Sequence, residues 1–232
     1  MGMPIRVGLM VPQNNTTMEH ELLTWLPPGS TVRLVRIPRG KGLLNAEMLP
    51  AYRAQAVALA RAFATDDIDV VAYGCTAAGF ISGPGGDASL QQELADVTGK
   101  PVVTTARSMV TVLESQAKAG SSVLVTPYST QVNERLMVFL TDAHIVVKRL
   151  RAFAVADVDA LGRIAAHEVE QLAREAMGTD VDALFIACAQ LPTATILSGL
   201  EREFGRPAWS SIRATAWEAE RAVARRREAA TV

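Results

Sequence analysis

Apolar positions along this chain fall mostly into short continuous runs, separated by longer stretches with helical spacing. Ile5–Val11, Val70–Cys75, Val102–Thr105, Val123–Thr126 and Ala183–Ala187 are such runs. Their lengths suit strands of a parallel sheet, buried on both faces. Thr31–Ile37, Ile145–Leu150 and Ala208–Ser211 complete the predicted strands. Thr16 and Glu19 have capping-box spacing and predict a helix start, and Pro27-Pro28-Gly29 ends that helix. Further helices are expected over Pro50–Ala64, Leu90–Thr98, Gln131–Leu140, Ala160–Ala176 and Leu197–Phe204, with a charged terminal helix from about Ala214 to Ala230. Pro38–Leu44 and the Gly-Pro-rich Ser82–Gly86 read as loops, the second mobile unless packed.

The order of elements runs through twice. Pro12 and Pro127 stop equivalent strands 115 positions apart, Cys75 and Cys188 stand 113 apart, and Pro101 and Pro207 stand 106 apart. GKPVVTTARS (Gly99–Ser108) matches GRPAWSSIRA (Gly205–Ala214) position by position. An internal duplication follows. The expected fold is α/β: two pseudo-symmetric lobes, each a four-stranded parallel sheet flanked by helices. Residues 1–107 with 212–232 would form the first lobe, the terminal helix returning to it, and 108–211 the second. Ligands of such sheets bind beyond the carboxyl ends of the strands. Pro12, Cys75, Pro127 and Cys188 all lie there, so the active site is expected in the cleft between lobes.

Composition narrows the partners. With 49% hydrophobic and 20% charged residues in 232, the chain has the balance of a soluble globular protein. A net charge of -1 argues against a nucleic-acid footprint. No apolar run approaches a membrane span, and MGMPIRVGLMVP enters a strand pattern without a signal-peptide h-region. The expectation is a cytoplasmic protein with reduced thiols, no membrane partner and no metal, since two cysteines without C-x-x-C and three scattered histidines make no zinc pattern.

The candidate chemistry rests on those two cysteines. Either alone would pass as core filler, but they occupy equivalent strand ends, and the chain has no others. A thiol before a helix N-terminus is expected to have a lowered pKa, and the same backbone donors suit a carboxylate or oxyanion. Two thiols facing one carbon suit two-base racemisation. They suit equally well addition of one to a double bond, with the other moving protons while the resulting single bond rotates. Asn14, Asn15 and Thr16 follow the first strand; such residues are common in turns and caps, though two adjacent amides off a strand end are unusual. Tyr128 follows Pro127 in the equivalent place, and a phenol there can donate to a carboxylate. His20, His144 and His167 have no triad or ligand spacing. The sequence has no G-x-S-x-G elbow, and Gly83-Pro84-Gly85-Gly86 lacks the Lys-Ser/Thr of a phosphate loop.

VPQNNTTME (Val11–Glu19), AYGCTAAGF (Ala72–Phe80), VTPYSTQVNERL (Val125–Leu136) and CAQLPT (Cys188–Thr193) together resemble the aspartate/glutamate racemase superfamily, in its maleate cis-trans isomerase and arylmalonate decarboxylase branch. The resemblance implies a cofactor-independent enzyme acting on a small carboxylate, commonly as a homo-oligomer. It implies Cys75 as nucleophile and Cys188 as acid/base. It implies carboxylate binding by Asn15, by Tyr128 and by the backbone N–H groups around Thr76 and Ala189, with Pro12 and Asn14 beside them. Natural decarboxylases of the branch carry glycine where Cys75 stands, which favours isomerisation of a maleate-like substrate over decarboxylation. An amino-acid or hydantoin-type racemase, an arylmalonate-type decarboxylase and a non-catalytic small-acid binder are the other readings. Two departures concern the substrate: Gln13-Asn14 replaces the family's Ser-Ser, and Val158 stands where maleate isomerases carry a second carboxylate-binding Asn.

Overall fold

A computed structural model describes residues 2–40, 42–116 and 121–229. The first half runs β1 (Arg6–Pro12), α1 (Met18–Trp25), β2 (Thr31–Ile37), α2 (Leu49–Ala60) with a 3₁₀ turn over Arg61–Phe63, β3 (Val70–Tyr73), α3 (Thr76–Ile81), α4 (Gly83–Thr98), β4 (Val102–Thr104) and α5 (Thr105–Gln116). The second runs β5 (Ser121–Thr126), α6 (Thr130–Asp142), β6 (Val146–Ala152), α7 (Val158–Gly162), α8 (Ala166–Ala176), β7 (Ala183–Ile186), α9 (Leu197–Phe204), β8 (Ala208–Ser210) and α10 (Ser211–Ala229). The two sheets have the orders β2-β1-β3-β4 and β6-β5-β7-β8, with every pairing parallel. The duplicated α/β plan read from the sequence is the plan of the fold.

Burial explains the two kinds of strand pattern. Central β3, β5 and β7 are buried at every residue, and β1 at all but its first. Edge strands β2 and β6 alternate between partly buried and exposed positions, as one-sided strands must. A large core cluster links both sheets: Met10, Val71 and Tyr73 of the first share it with Leu124 and Phe185 of the second, and Met109, Val110 and Leu113 of α5 lie among them. On the other face of the first sheet, Val7, Leu9, Val70 and Ala72 pack against Ile212, Ala216 and Ala219 of α10.

Several local readings need correction. Ser82–Gly86 is the junction and first turn of α4 rather than a loop. Gly83, at φ +72°, lets the chain turn out of α3, and Pro84 then sits in the first turn, where its missing N–H costs nothing. The helix expected over Ala160–Ala176 is two helices. The break is held by Glu168, whose carboxylate accepts from Ala165 N at 2.8 Å and starts α8 afresh. Thr16 forms no capping box: the N-cap of α1 is Thr17, and its cap is supplied by Asn15 Oδ1, which accepts from Thr17 N (3.0 Å) and Met18 N (2.9 Å). Helix α5 is absent from the sequence reading, and α10 begins at Ser211, earlier than expected. Ala230, the expected end of that helix, and Lys41 of the Pro38–Leu44 loop lie outside the described residues.

Candidate active site

The carboxyl ends of β1, β3, β5 and β7 converge on one small cavity of about 60 Å³. The eight residues to which the resemblance gives a place at the site line it, Pro12, Asn14, Asn15, Cys75, Thr76, Tyr128, Cys188 and Ala189, whereas Thr16 does not. Close packing at Gly74 brings Cys75 off its strand. Gly74 N donates to Met10 O at 2.7 Å, and a Cβ there would stand 2.9 Å from that same oxygen. Cys75 itself is the N-cap of α3, in extended conformation (φ -128°, ψ 91°). Cys188 precedes a turn, with Leu191 N donating to Cys188 O at 3.2 Å, and α9 starts only at Leu197.

Ser211 ties the two thiol loops together. Its Oγ accepts from Thr76 Oγ1 (3.0 Å) and from Cys188 N (3.1 Å). A second set of bonds crosses between lobes at the rim. Asn15 Nδ2 donates to Ala189 O (2.9 Å), Thr16 N to Gln190 Oε1 (3.0 Å), Gln190 Nε2 to Thr16 Oγ1 (3.0 Å) and Thr17 Oγ1 to Gln190 O (2.9 Å). This explains the lost capping box: Thr16 is drawn across the cleft to Gln190. Asn15 has spent its oxygen on α1 and one amide hydrogen on Ala189, leaving one N–H for a ligand.

Both thiols are free and nearly inaccessible, 6% exposed at Cys75 and 8% at Cys188. Burial pushes both up in pKa, against the expectation of lowered values; Cys188 reaches about 11. The helix-end effect is overridden because α3 has only six residues, Cys188 faces a turn, and desolvation penalises thiolate. The two are nonetheless unequal. The Ala78 N–H, the Arg39 charge and the Tyr52 hydroxyl all favour thiolate at Cys75. Gln190 N donates to Cys188 Sγ at 3.4 Å and Tyr128 supports it, but a charge on Cys75 raises the Cys188 pKa further. Of these causes the one charge that favours a thiolate is Arg39, and it acts on Cys75.

Unpaired donors complete the cavity. The Tyr128 hydroxyl is buried beside Cys188 and Thr76 without a hydrogen bond of good geometry, and burial raises its pKa, so it stays a proton donor. Phe80 holds its ring edge-on at 5.3 Å. The Asn14 Oδ1 position is likewise buried and unpaired; an amide there presents either of its ends to a ligand. Leu43, Leu44, Val132 and Leu161 form apolar wall. Val158 is buried in the first turn of α7 and does not line the cavity.

Arg39, Tyr52, Gln190 and Ser211 escaped the sequence reading. Tyr52 sits on the apolar stripe of α2 and reads as core, and Ser211 reads as the end of a strand. Arg39 lies in a glycine-flanked connection. Its position after β2, at the carboxyl edge of a parallel sheet, is the signal that could have marked it.

Known proteins resemble this chain along most of its length. A maleate isomerase of Nocardia farcinica is 29% identical over 219 residues, covering 91% of this chain and 87% of that protein. An arylmalonate decarboxylase of Bordetella bronchiseptica is 28% identical over 184 residues, covering 78% and 76%. Among solved structures, a Nocardia farcinica maleate cis-trans isomerase variant with a cysteine changed to serine, bearing a covalently bound succinylcysteine intermediate, superposes with a TM-score of 0.87 at 28% identity over 96% of this chain and 94% of that one. The arylmalonate decarboxylase family profile matches residues 7–232. The chain belongs to the arylmalonate decarboxylase family.

Proposed function

We propose that the protein is a cis-trans isomerase of a small unsaturated dicarboxylate, converting maleate to fumarate. The observation that carries this reading is the pair of thiols, one at the end of each equivalent central strand, lining one cavity, with the Arg39 charge favouring thiolate at Cys75. Cys75 thiolate adds to one alkene carbon, and Cys188 gives its proton to the other. The resulting carbon–carbon single bond rotates. Cys188 thiolate then takes that proton back, the C–S bond breaks, and Cys75 leaves as thiolate with the trans alkene released. Atoms and electrons balance without any added redox equivalent. Tyr128, the free N–H of Asn15 and the backbone N–H groups near Thr76 and Ala189 stabilise carboxylate charge through addition and elimination. The succinylcysteine seen in the Nocardia farcinica relative is the adduct this scheme requires.

The test is proton NMR of the reduced protein with maleate in deuterated buffer. Fumarate is expected to accumulate with wild type and not with Cys75→Ser; substantial turnover by that variant refutes the assigned nucleophile. The family profile favours one second reading, decarboxylation of a malonate. Carbon dioxide release from an arylmalonate, with no fumarate from maleate, would establish it instead. A cytoplasmic setting goes with the scheme, because both thiols must stay reduced, and assembly into a homo-oligomer goes with the family resemblance; light scattering tests the latter.

A further inference from the structure

The cavity has one feature that neither thiol chemistry nor the carboxylate donors named above require. Arg39 lines it, and among the described lining residues Arg39 is the only charged one; no Asp or Glu faces it. No ion pair among the described residues engages Arg39. Its Nη2 donates to Gly42 O at 2.7 Å, and its Nε is buried with no partner. A guanidinium carries five N–H donors in a planar fork suited to a carboxylate. A buried donor on a cation, without a protein acceptor and beside an acid-free cavity, is suited to an anionic ligand.

We infer that Arg39 selects a doubly charged substrate by holding its second carboxylate. This deepens the isomerase reading and rests on it. The other donors at the cavity, Tyr128, Asn15 and backbone N–H groups, are neutral. They suffice for one carboxylate, but two desolvated negative charges without a cation are costly. The walls Leu43, Leu44, Val132 and Leu161 would by themselves favour a monoacid with an apolar tail. Arg39 is what turns the preference toward a dicarboxylate. Its field also reaches the Cys75 sulfur, so loss of the arginine is to be read by selectivity rather than by rate alone.

The experiment compares wild type, Arg39→Lys and Arg39→Leu on maleate and on maleamate, which keeps the cis double bond and exchanges one carboxylate for an amide. Arg39→Leu is expected to lower kcat/KM for maleate on the order of 10- to 100-fold, mainly through KM, the usual consequence of removing a charge-assisted pair. The maleamate value should fall by a clearly smaller factor, the share that the lost field on Cys75 takes from both substrates, and Arg39→Lys should fall between. Equal losses on both substrates would overturn the inference, because the arginine would then act only through the thiol; an unchanged maleate value would overturn it as well. If wild type isomerises neither compound, the isomerase reading fails, and thermal shift with succinate against propionate decides the arginine separately. A larger succinate shift that disappears in Arg39→Leu supports the selection; equal succinate shifts in both proteins refute it.

Discussion

Replacing Asp87 by Asn should make the protein's stability less sensitive to rising pH. Asp87 lies on α4 directly behind the α3 helix that Cys75 caps, and is 2% exposed. Its Oδ2 accepts from Thr104 Oγ1 at 2.7 Å, while Oδ1 is buried with no partner. Burial pushes the carboxyl from 3.8 up to about 6, despite the Thr104 bond and the Arg107 charge, which both pull it down. The folded state therefore holds its proton more tightly than the unfolded state does. Between those two values the native protein binds more protons at Asp87, so the contribution of this group to stability is full below pH 3.8 and is lost as pH rises through about 6. A displacement of about two pH units corresponds to about 3 kcal/mol, and roughly 2 kcal/mol of that falls between pH 4.5 and 8. Asn keeps an oxygen for Thr104 and cannot ionise. Any fixed packing cost of the substitution is the same at both pH values and cancels in the comparison. Urea unfolding of both proteins at pH 4.5 and pH 8 should show the variant gaining about 2 kcal/mol on wild type at the higher pH. A difference independent of pH would refute the reasoning.

Two further outcomes follow from the site. Because burial raises both thiols, iodoacetamide labelling should be slow at neutral pH and accelerate steadily as pH rises, with Cys75 modified before Cys188; fast, pH-independent labelling read by peptide mass spectrometry would contradict the burial argument. Gln190→Ala removes two side-chain bonds to Thr16 across the cleft and should lower stability by about 1–2 kcal/mol; an unchanged urea midpoint would show that these bonds do not hold the lobes together.

The legible part of the fold is the part where burial is symmetric. Central strands such as Val70–Tyr73 and Ala183–Ile186 are apolar throughout because both faces are covered, and their repetition at a near-constant offset exposes the duplication. What stayed hidden depends on contacts distant in sequence. The GPGG stretch looks like a loop until Gly83 is seen to carry the turn between two helices. Helix α5 carries Met109, Val110 and Leu113 into the core shared by both sheets, yet TARSMVTVLESQ has no clear boundary signal. Thr16 and Glu19 satisfy a local rule that Gln190, 174 positions away, overrides. The thiol pair shows the same division. Their placement follows from strand ends and can be read from the chain, whereas their proton affinity depends on how much solvent the second lobe removes.

In the proposed isomerase, that proton affinity gives the pair its division of labour. Two thiols with equal, lowered pKa values would both ionise near neutrality, leaving no proton to hand to the substrate carbon. Two thiols with equal, raised values would leave no nucleophile. Here burial raises both, and each has a phenol and backbone N–H support, Tyr52 and Ala78 at Cys75, Tyr128, Gln190 and Leu191 at Cys188; the Arg39 charge, acting on Cys75, is what separates them. The singly ionised pair is thus one preferred arrangement rather than an even mixture. In the proposed isomerase, two chemically identical groups thereby become an acid and a nucleophile: Arg39 and Tyr52, both from the first half of the chain, act on Cys75.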